Sequence, residues 1–585
     1  MNIKDFDILK MLVEKENLTQ RDLSRLTGMS LGRVNYAIKK LKSNGYLDNQ
    51  GLLTTKAYDI LKDKHPKRAV ILAAGYGMRM VPISSIIPKA LIEVGKEPLI
   101  ERLIRQLHQV DIYDIQIVVG FRKEQFEYLL DKYHVELIIN PEYANSNNLY
   151  SLSLYQGSLE QTYIVPADLW FKENPFSTIE LTSWYLVEKN LSEGNLYKVN
   201  TKRKLVENKQ KFGNKMIGLA YLDEIDGVKL KMKLSEMGHI EKNRNLFWEA
   251  SMINGKNFGL LAKVTDRENV FELNTYEDLL RLDTHSKYLE NDAIKVIEQT
   301  LKIPKTKIKG IEVLKKGMTN RSFSFFVDGK RYIMRIPGRG TVQLLNRKQE
   351  AEVYRVIADL GISDQVLYID ERSGYKISSY LENARVCNPK SMVDVHKCMQ
   401  KLRTFHNLKL KVSHEFDIFS QIELYEKLLG KVGSAYRDYE ITKKNILSLR
   451  SFIERNIAQK VLSHIDANPD NFLFVENDIF LIDWEYAGMQ DPHIDIAMFG
   501  IYAMYDKKKM DQLIDLYFEG HCTPKIRAKI YCYVAACGLL WSNWCEYKQT
   551  LGVTFGEYSL VQYRYAKEFY YYATEMIKEV NKDGK

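Results

Sequence analysis

The sequence predicts a multidomain protein of mixed α/β and α+β class, on three observations. Its 585 residues exceed one ordinary domain, which has roughly 100–200 residues. Helical apolar spacing and a hairpin fill residues 1–66, strands alternate with helices over 67–288, and strands followed by long helices fill 289–585. The composition, 45% hydrophobic and 27% charged, is that of folded proteins and excludes disordered and fibrous classes.

Cysteine usage and hydropathy indicate a cytoplasmic protein with no membrane segment. None of the six cysteines lies in the first 386 residues, and no CxxC pair is present, so we expect no structural zinc. The N-terminus has no signal-peptide core, because charges interrupt its apolar residues. The uncharged run from Ile530 to Cys545 is too short for a bilayer and predicts a buried helix.

The first segment predicts helices over 6–15, 19–27 and 31–43, then a hairpin at 45–54. Thr19 and Ser30 stand where N-caps are expected. This pattern resembles the winged helix-turn-helix of bacterial regulators, which implies DNA as a partner through the outward side chains of the third helix: Ser30, Arg33, Asn35, Tyr36 and Lys39. Two other roles fit the same module. It could mediate dimerisation, which would make the protein a homodimer, or it could pack on neighbouring segments.

The middle segment begins with a buried strand, 69–75, that runs into the string LAAGYGMR at 72–79. Glycines let backbone amides approach phosphates closely, and cationic side chains then contact the outer phosphates. The predicted nucleotide-binding residues are Ala73, Ala74, Gly75, Gly77, Arg79 and Lys89, with Arg79 and Lys89 also catalytic. Met80 stands where a dinucleotide fingerprint would need a further glycine.

This string, with Pro88-Lys89 after it, resembles the nucleotidyltransferases that build sugar nucleotides and CDP-alcohols. The resemblance implies a Rossmann-like α/β fold, a nucleoside triphosphate substrate and Mg²⁺, with Asp168 as a metal ligand. The family's second carboxylate would fall at Asn274, so either Glu272 serves as the second metal ligand or that ligand is weak.

The stretches 140–152 and 247–251 resemble those of bacterial phosphocholine cytidylyltransferases, which implies CTP and phosphocholine as substrates. Aromatic faces and carboxylates bind quaternary ammonium groups. The predicted phosphocholine-binding residues are Tyr150, Trp248, Glu249 and Glu272. The alternative for Trp248 is a core tryptophan.

The third segment contains HIDANPDN at 464–471 and IFLIDWEYAG at 479–488. Phosphoryl transfer needs a carboxylate near the attacking hydroxyl and two groups that hold Mg²⁺. Asp466 is the predicted catalytic carboxylate, and Asn471 and Asp483 are the predicted metal ligands. The spacing resembles aminoglycoside and choline kinases, and so implies a kinase-like phosphotransferase fold.

The residues before this motif predict the ATP side of the cleft. Those predicted to bind nucleotide are Gly317, Thr319 and Asn320 in a turn, Arg335 with Glu350 as its partner, and Ser379 and Leu381 in a hinge. Glu352 is the alternative partner of Arg335. An arginine at this position resembles the lic-type choline kinases.

Glu485, Trp541 and Trp544 are the predicted choline-binding residues. Core packing is the alternative for the two tryptophans. Together the resemblances imply phosphorylation of choline by ATP, then cytidylyl transfer from CTP to phosphocholine. A sugar-phosphate nucleotidyltransferase fused to another small-alcohol kinase, or a choline-sensing transcriptional regulator, are the rival hypotheses.

Overall fold

The structure is a computed structural model that describes residues 3–15, 18–75, 77, 80–83, 87–255, 257–314, 320–337, 345–430, 433–553 and 555–583. The chain divides into two compact units, Met1–Lys295 and Val296–Lys585. The division into segments 1–66, 67–288 and 289–585 stays a prediction.

The first unit opens with a small helical module. Its helices are α1 Ile3–Glu14, α2 Gln20–Thr27, α3 Leu31–Ser43 and α4 Thr55–Leu61. Thr19 and Ser30 cap α2 and α3 as predicted, since each side chain accepts the backbone N–H three residues ahead. Leu47 bridges to Leu53 between α3 and α4, which forms the predicted hairpin.

The rest of the first unit surrounds a mixed sheet. Its strands are β1 Arg68–Ala73, β2 Glu93–Val94, β3 Glu97–Pro98, β4 Asp114–Val119, β5 Glu136–Ile139, β6 Thr162–Pro166, β7 Leu169–Phe171, β8 Trp184–Glu193, β9 Tyr197–Val199, β10 Lys204–Glu207, β11 Phe212–Leu222, β12 Ile253–Asn254, β13 Asn257–Thr265 and β14 Val270–Glu272. Its helices are α5 Leu99–His108, α6 Tyr128–Tyr133, α7 Asn148–Ser153, α8 Glu224–Met237 and α9 Tyr276–Leu282.

The sheet order is β5-β4-β1-β6-β11-β8-β13-β10-β9, with β12 paired to β13. Strands β5, β4, β1 and β6 run parallel, so their carboxyl ends share one edge of the sheet. β11 then pairs antiparallel with β6, and β14 forms a separate ribbon with β7. Ligands of open α/β sheets bind at such a shared carboxyl edge.

Helix α10, Asp292–Leu301, contains the division between the units. An antiparallel sheet follows it in the second unit. The elements that follow are β15 Lys309–Val313, β16 Asn320–Val327, β17 Lys330–Pro337, α11 Arg347–Ile357, β18 Val366–Ile369, β19 Lys376–Ser379 and β20 Arg385–Val386. The five-stranded sheet has the order β15-β16-β17-β19-β18.

The remainder of the second unit is mainly helical. Its elements are α12 Met392–Asn407, α13 Ile418–Leu429, α14 Tyr439–Ser448, α15 Arg450–Arg455, β21 Val461–Ser463, β22 Phe472–Val475, β23 Asp478–Leu481, β24 Gly488–Gln490, α16 His493–Tyr502, α17 Lys507–Phe518, α18 Pro524–Thr550 and α19 Glu557–Asp583. Helix α18 contains the uncharged run and is buried through most of its length, as predicted. Among the described residues, no helix is long and apolar enough to cross a membrane.

Candidate active sites

The first cleft lies at the carboxyl ends of β1 and β6 in the first unit. These strands are parallel neighbours, with Leu72 opposite Pro166, so Gly75 and Asp168 emerge at the same edge. Lys89 contacts two other polar residues of the cleft. Its ammonium Nζ lies 2.6 Å from Asp168 Oδ2 and 2.9 Å from Asn274 Oδ1. The structure thus places three of the sequence-derived residues in contact, although they span 185 positions.

The glycine turn of this cleft faces open space at Gly75. A Cβ added at Gly75 would meet nothing within 4 Å, so the glycine is not required by packing inside the protein. Gly77 has φ +63°, a left-handed conformation that favours glycine. Ala73 and Ala74 are buried behind the turn. The predicted Arg79 lies outside the described residues.

Glu272 lies opposite Leu169, the residue after Asp168, but its side chain has another partner. Its carboxylate Oε2 pairs with Lys215 Nζ at 2.9 Å. Both side chains line a cavity of about 330 Å³, with Glu188 and Arg281, and the described lining does not include Asp168. Asn274 lies beside Asp168 through their shared contact with Lys89, and the role of Glu272 as a second metal ligand stays a prediction.

The predicted phosphocholine pocket is only partly accessible. Trp248 is completely buried, with its ring centroid 5.8 Å from that of Tyr185, so its faces are covered by protein. This burial agrees with the alternative of a core tryptophan. Tyr150 on α7 is half-buried nearby, because α7 packs against the short 3-10 helix Trp248–Met252. Glu249 as a residue is also half-buried, but its carboxylate lies inside the protein.

Glu249 has an unusual electrostatic environment. Its Oε1 accepts a hydrogen bond from the Tyr185 hydroxyl at 2.7 Å. Among the described residues, its Oε2 has no hydrogen-bond partner. Burial raises the pKa of Glu249 to about 6. The carboxylate is therefore suited to a cationic ligand group, which would compensate its charge.

The second cleft is built around the loop that follows β21. Asp466 is held on both carboxylate oxygens: the Tyr502 hydroxyl donates to Oδ1 at 2.5 Å, and Asn471 Nδ2 donates to Oδ2 at 3.0 Å. Asp495 fixes the loop, since it accepts the backbone N–H groups of His464 at 2.8 Å and Ile465 at 2.7 Å. Asp495 thus has a structural role, because it holds the backbone of this loop.

The predicted ion pair between Arg335 and Glu350 is present. Arg335 Nη2 donates to Glu350 Oε2 at 2.9 Å, and Nη1 also donates to Oε1. The alternative partner Glu352 instead accepts from the backbone N–H of Ser413 at 2.7 Å. This prediction of pairing is confirmed.

The structure describes only some of the other residues that are predicted to bind ATP. Ser379 and Leu381 are half-buried at the end of β19, and the backbone N–H of Ser379 donates to the Gln365 carbonyl at 2.8 Å. Asn320 begins β16 opposite Pro337. Gly317 and Thr319 lie outside the described residues.

One cavity of about 370 Å³ joins these groups. The predicted residues Arg335, Asp466, Asn471, Asp483, Glu485, Trp541 and Trp544 all line it. Sequence reasoning missed three aromatic members of the same lining, Tyr486, Tyr502 and Tyr558. Trp541 lies at the centre of the aromatic end, with ring centroids 5.7 Å from Tyr486, 5.5 Å from Tyr502 and 5.4 Å from Trp544.

Three carboxylates in this cavity concentrate negative charge. Burial raises the pKa of Asp466 and of Asp483 to about 6, and that of Glu485 to about 7. Burial has the opposite effect on His464, whose pKa falls to about 4, so the ring is neutral and braces the loop through a 3.0 Å contact from Nε2 to the Ile482 carbonyl.

The donor sets in both clefts fit Mg²⁺. Within the described residues, no group of three or more His, Cys, Asp or Glu is placed to hold a metal ion. Each cleft instead supplies carboxylate and amide oxygens: Asp168 with Asn274, and Asp466 and Asp483 with Asn471. Proteins commonly hold Mg²⁺ with one or two carboxylates, and substrate phosphates complete the coordination.

The outer face of α3 offers a further candidate site. Ser30, Asn35 and Lys39 are exposed, while Tyr36 is 56% exposed. Arg33 is engaged inside the module, where its Nη2 lies 3.2 Å from the buried Asp5 carboxylate. Arg33 therefore joins α3 to α1, and its outward contact with DNA stays a prediction.

Three family models match successive parts of the chain. Residues 1–48 match the winged helix-turn-helix DNA-binding family. Residues 69–174 match the MobA-like NTP transferase domain, and residues 311–516 match the choline/ethanolamine kinase family. The order agrees with the three resemblances found in the sequence.

Individual relatives cover the two larger segments. The choline-phosphate cytidylyltransferase of Streptococcus pneumoniae is 32% identical over 232 residues, 37% of this chain and 96% of that protein. The 2-aminoethylphosphonate cytidylyltransferase of Lancefieldella rimae is 30% identical over 230 residues, 38% of this chain and 94% of that protein. Protein LicA of Haemophilus influenzae is 28% identical over 261 residues, 42% of this chain and 95% of that protein.

The glycine turn with Lys89 and Asp168, the loop of Asp466 and the capped helices α2 and α3 thus each coincide with a family match. Through its middle segment the chain belongs to the family of the Streptococcus pneumoniae choline-phosphate cytidylyltransferase, and it joins this nucleotidyltransferase segment to an N-terminal winged helix-turn-helix and a C-terminal fold of the choline-kinase type.

Proposed function

We propose that the chain is a bifunctional enzyme of CDP-choline synthesis that carries a DNA-binding head. Segment 289–585 phosphorylates choline with ATP, and segment 67–288 transfers a cytidylyl group from CTP to the resulting phosphocholine. The proposal rests on the family matches and, above all, on one cavity in which Asp466, Asn471 and Asp483 meet five aromatic side chains.

The kinase step follows from that cavity. Aromatic faces attract a quaternary ammonium, each worth about 0.5–2 kcal/mol, and Glu485 adds a carboxylate. The choline hydroxyl oxygen then forms a bond to the γ-phosphorus as the bond to ADP breaks, and Asp466 accepts the hydroxyl proton. Asn471 and Asp483 would hold Mg²⁺, which offsets the charge of the phosphates.

The transferase step uses the cleft of Lys89. A phosphate oxygen of phosphocholine attacks the α-phosphorus of CTP, and pyrophosphate leaves. Lys89 supplies positive charge beside the triphosphate, and Asp168 both orients that ammonium at 2.6 Å and would hold Mg²⁺. In this proposal, Tyr150 and the carboxylate of Glu249 bind the trimethylammonium group, and the support is the unpartnered oxygen Oε2 of Glu249 among the described residues.

DNA is the proposed partner of the winged helix. Polar and cationic side chains on the exposed face of α3 can contact base edges and phosphates. We expect full-length protein to shift DNA from upstream of its own operon on a gel. The double variant Asn35→Ala, Lys39→Ala should weaken that shift at least tenfold, because both changes remove contacts worth about 1–3 kcal/mol.

Two variants test the proposal by separating the reactions. Asp466→Ala should abolish ATP-dependent phosphorylation of choline and leave cytidylyl transfer to supplied phosphocholine intact, and Asp168→Ala should do the reverse. Loss of both reactions in a well-folded single variant would contradict the assignment. Phosphocholine, 2-aminoethylphosphonate and a sugar 1-phosphate are compared as acceptors, and preference for the sugar phosphate would support the rival transferase.

A further inference from the structure

A row of four alternating charges lies behind the cavity of the second unit. Arg335 is paired with Glu350, and Arg347 Nη1 contacts both Glu350 Oε2 at 2.9 Å and Glu485 Oε2 at 3.4 Å. All four side chains are buried, with exposed fractions of 5%, 1%, 7% and 3% in the order Arg335, Glu350, Arg347, Glu485. Charges removed from water in this way interact more strongly than surface pairs.

The two ends of the row face the same cavity at different places. Arg335 lines it beside the β-sheet residues Ile333 and Ser378, on the side predicted to hold ATP. Glu485 lines it next to the aromatic residue Tyr486, on the side predicted to hold choline. Arg347, at the start of α11, connects the two sides through the carboxylates of Glu350 and Glu485.

The backbone of Gly374 packs closely against the side chain of Arg347. A Cβ at Gly374 would lie 2.8 Å from Arg347 Nε, and the glycine has φ +73°, so the chain leaves room there for the guanidinium. Arg335 also donates to the Gly374 carbonyl at 3.2 Å. The same backbone segment therefore supports both arginines.

We propose that Arg347 is a positioning residue that couples nucleotide binding to choline binding. This inference rests on the proposed kinase function. The sign of the coupling follows from the alternation of charge. Phosphate oxygens near Arg335 draw its guanidinium away from Glu350, and Glu350 then attracts Arg347 more strongly. The pairing of Arg347 with Glu485 weakens as a result, so Glu485 interacts more strongly with the ammonium of choline. Each ligand should therefore tighten the binding of the other, because coupling between sites is reciprocal.

Calorimetry of the full-length protein tests this coupling. The probes are choline and a non-hydrolysable ATP analogue with Mg²⁺, and the readout is the ratio of choline Kd without and with the analogue. We expect a ratio of about 5 or more for the unaltered protein, the usual scale of coupled sites. In Arg347→Met the ratio should fall to about 1, and in Arg347→Lys it should recover in part, since lysine restores the charge but replaces the planar guanidinium with a compact ammonium.

Two further variants keep the test decisive. Arg355→Met, on the same helix, removes an exposed pair with Glu371 and should leave the ratio unchanged. Glu485→Gln removes the last charge of the row and should abolish coupling even if Arg347→Met fails to fold. A full ratio in folded Arg347→Met or in Glu485→Gln, or a ratio below 2 in the unaltered protein with both ligands bound, overturns the proposal. Absence of any choline binding in the unaltered protein would instead overturn the proposed kinase function, and the coupling with it.

Discussion

In the first cleft, Lys89 joins two residues from distant parts of the chain. Its ammonium contacts one carboxylate, Asp168, and one amide oxygen, Asn274. A carboxylate at position 274 would place a second negative charge beside Asp168. The amide therefore limits the negative charge available to a metal ion at this site.

Asn274→Asp should lower the Mg²⁺ concentration that gives half-maximal cytidylyl transfer by about tenfold, because ligand charge tunes the affinity of such sites. Activity is measured against Mg²⁺ at saturating CTP. Asn269→Asp, at the far end of the β7–β14 ribbon, is the matched control and should leave the requirement unchanged. An unchanged or higher requirement in Asn274→Asp would argue against a metal ion beside Asp168.

Glu249 gives a pH-dependent prediction. Its raised pKa of about 6 means that the carboxylate is charged above pH 6 and loses its charge below. The KM for phosphocholine should therefore rise as the pH falls from 7 to 5. The phosphate group titrates in the same range, so the measure is the ratio of KM between Glu249→Gln and the unaltered protein.

That ratio should be about 5–10 at pH 7 and should approach 1 at pH 5, because a lost charge pair at a partly buried site costs about 1–1.5 kcal/mol. A ratio that stays constant with pH would show that Glu249 does not contact the ammonium group.

Sequence motifs predicted Asp466, Asn471 and Asp483, because these residues are recognised by their spacing within short stretches of sequence. They did not predict which aromatic rings would reach the cavity. Tyr486, Tyr502 and Tyr558 come from three separate segments, and only packing brings them to Trp541. Burial of Trp248 likewise depends on contacts with β8, which local sequence does not reveal.

The catalytic loop of the second unit is held by helix α16. Asp495, at the start of that helix, accepts two backbone N–H groups of the loop and contacts His406 Nε2 at 2.9 Å. Ile465 and Asp483 both adopt left-handed conformations, each with φ +68°, which cost about 1–2 kcal/mol for residues with a side chain. The contact of Asp495 with the Ile465 N–H therefore offsets strain in the residue just before Asp466.

Asp495→Asn should destabilise the second unit by about 2–4 kcal/mol, since buried hydrogen bonds to a charged acceptor are weakened and one donor loses its partner. Chemical denaturation measures the change. Choline phosphorylation should fall, while cytidylyl transfer by the same preparation stays unchanged. Equal loss of both activities would contradict the separate placement of the two sites.

Helix boundaries at the N-terminus were predicted closely, because caps and apolar spacing are local signals. Thr19 and Ser30 form their caps as expected. Helix α18 was predicted as buried for the same reason, and its tryptophans at positions 541 and 544 do line the cavity. The half of the first sheet beyond β6 was not predicted, since β8 pairs antiparallel with β11 and parallel with β13, and these pairings join residues far apart in the sequence.

At the scale of the whole molecule, the winged helix is part of the first unit and shares a core with the transferase. Ile179, from the segment after β7, is buried among the apolar residues of α1 to α4. Two ion pairs connect the same parts: Lys10 with Glu180 at 3.2 Å and Arg203 with Asp7 at 2.8 Å. These contacts join residues separated by as many as 196 positions, so the sequence alone did not predict them.

Ile179→Ala should therefore loosen the winged helix in the full-length protein. Removal of a buried isoleucine side chain costs about 2–5 kcal/mol. We expect faster amide hydrogen exchange in α2 and α3, measured by mass spectrometry. Ile112→Ala, in the core below the transferase sheet, is the control and should leave exchange in those two helices unchanged. Equal protection in both variants would show that the winged helix is stable without the shared core.

The central claim is that one chain performs two consecutive transfers. The most direct measurement is mass spectrometry of the products formed from deuterated choline, Mg²⁺ and nucleotides by the purified full-length protein. With ATP alone the label should appear in phosphocholine. With ATP and CTP together it should appear in CDP-choline, and unlabelled pyrophosphate should be released. Label that stays in free choline, or that stops at phosphocholine when CTP is present, would contradict the account.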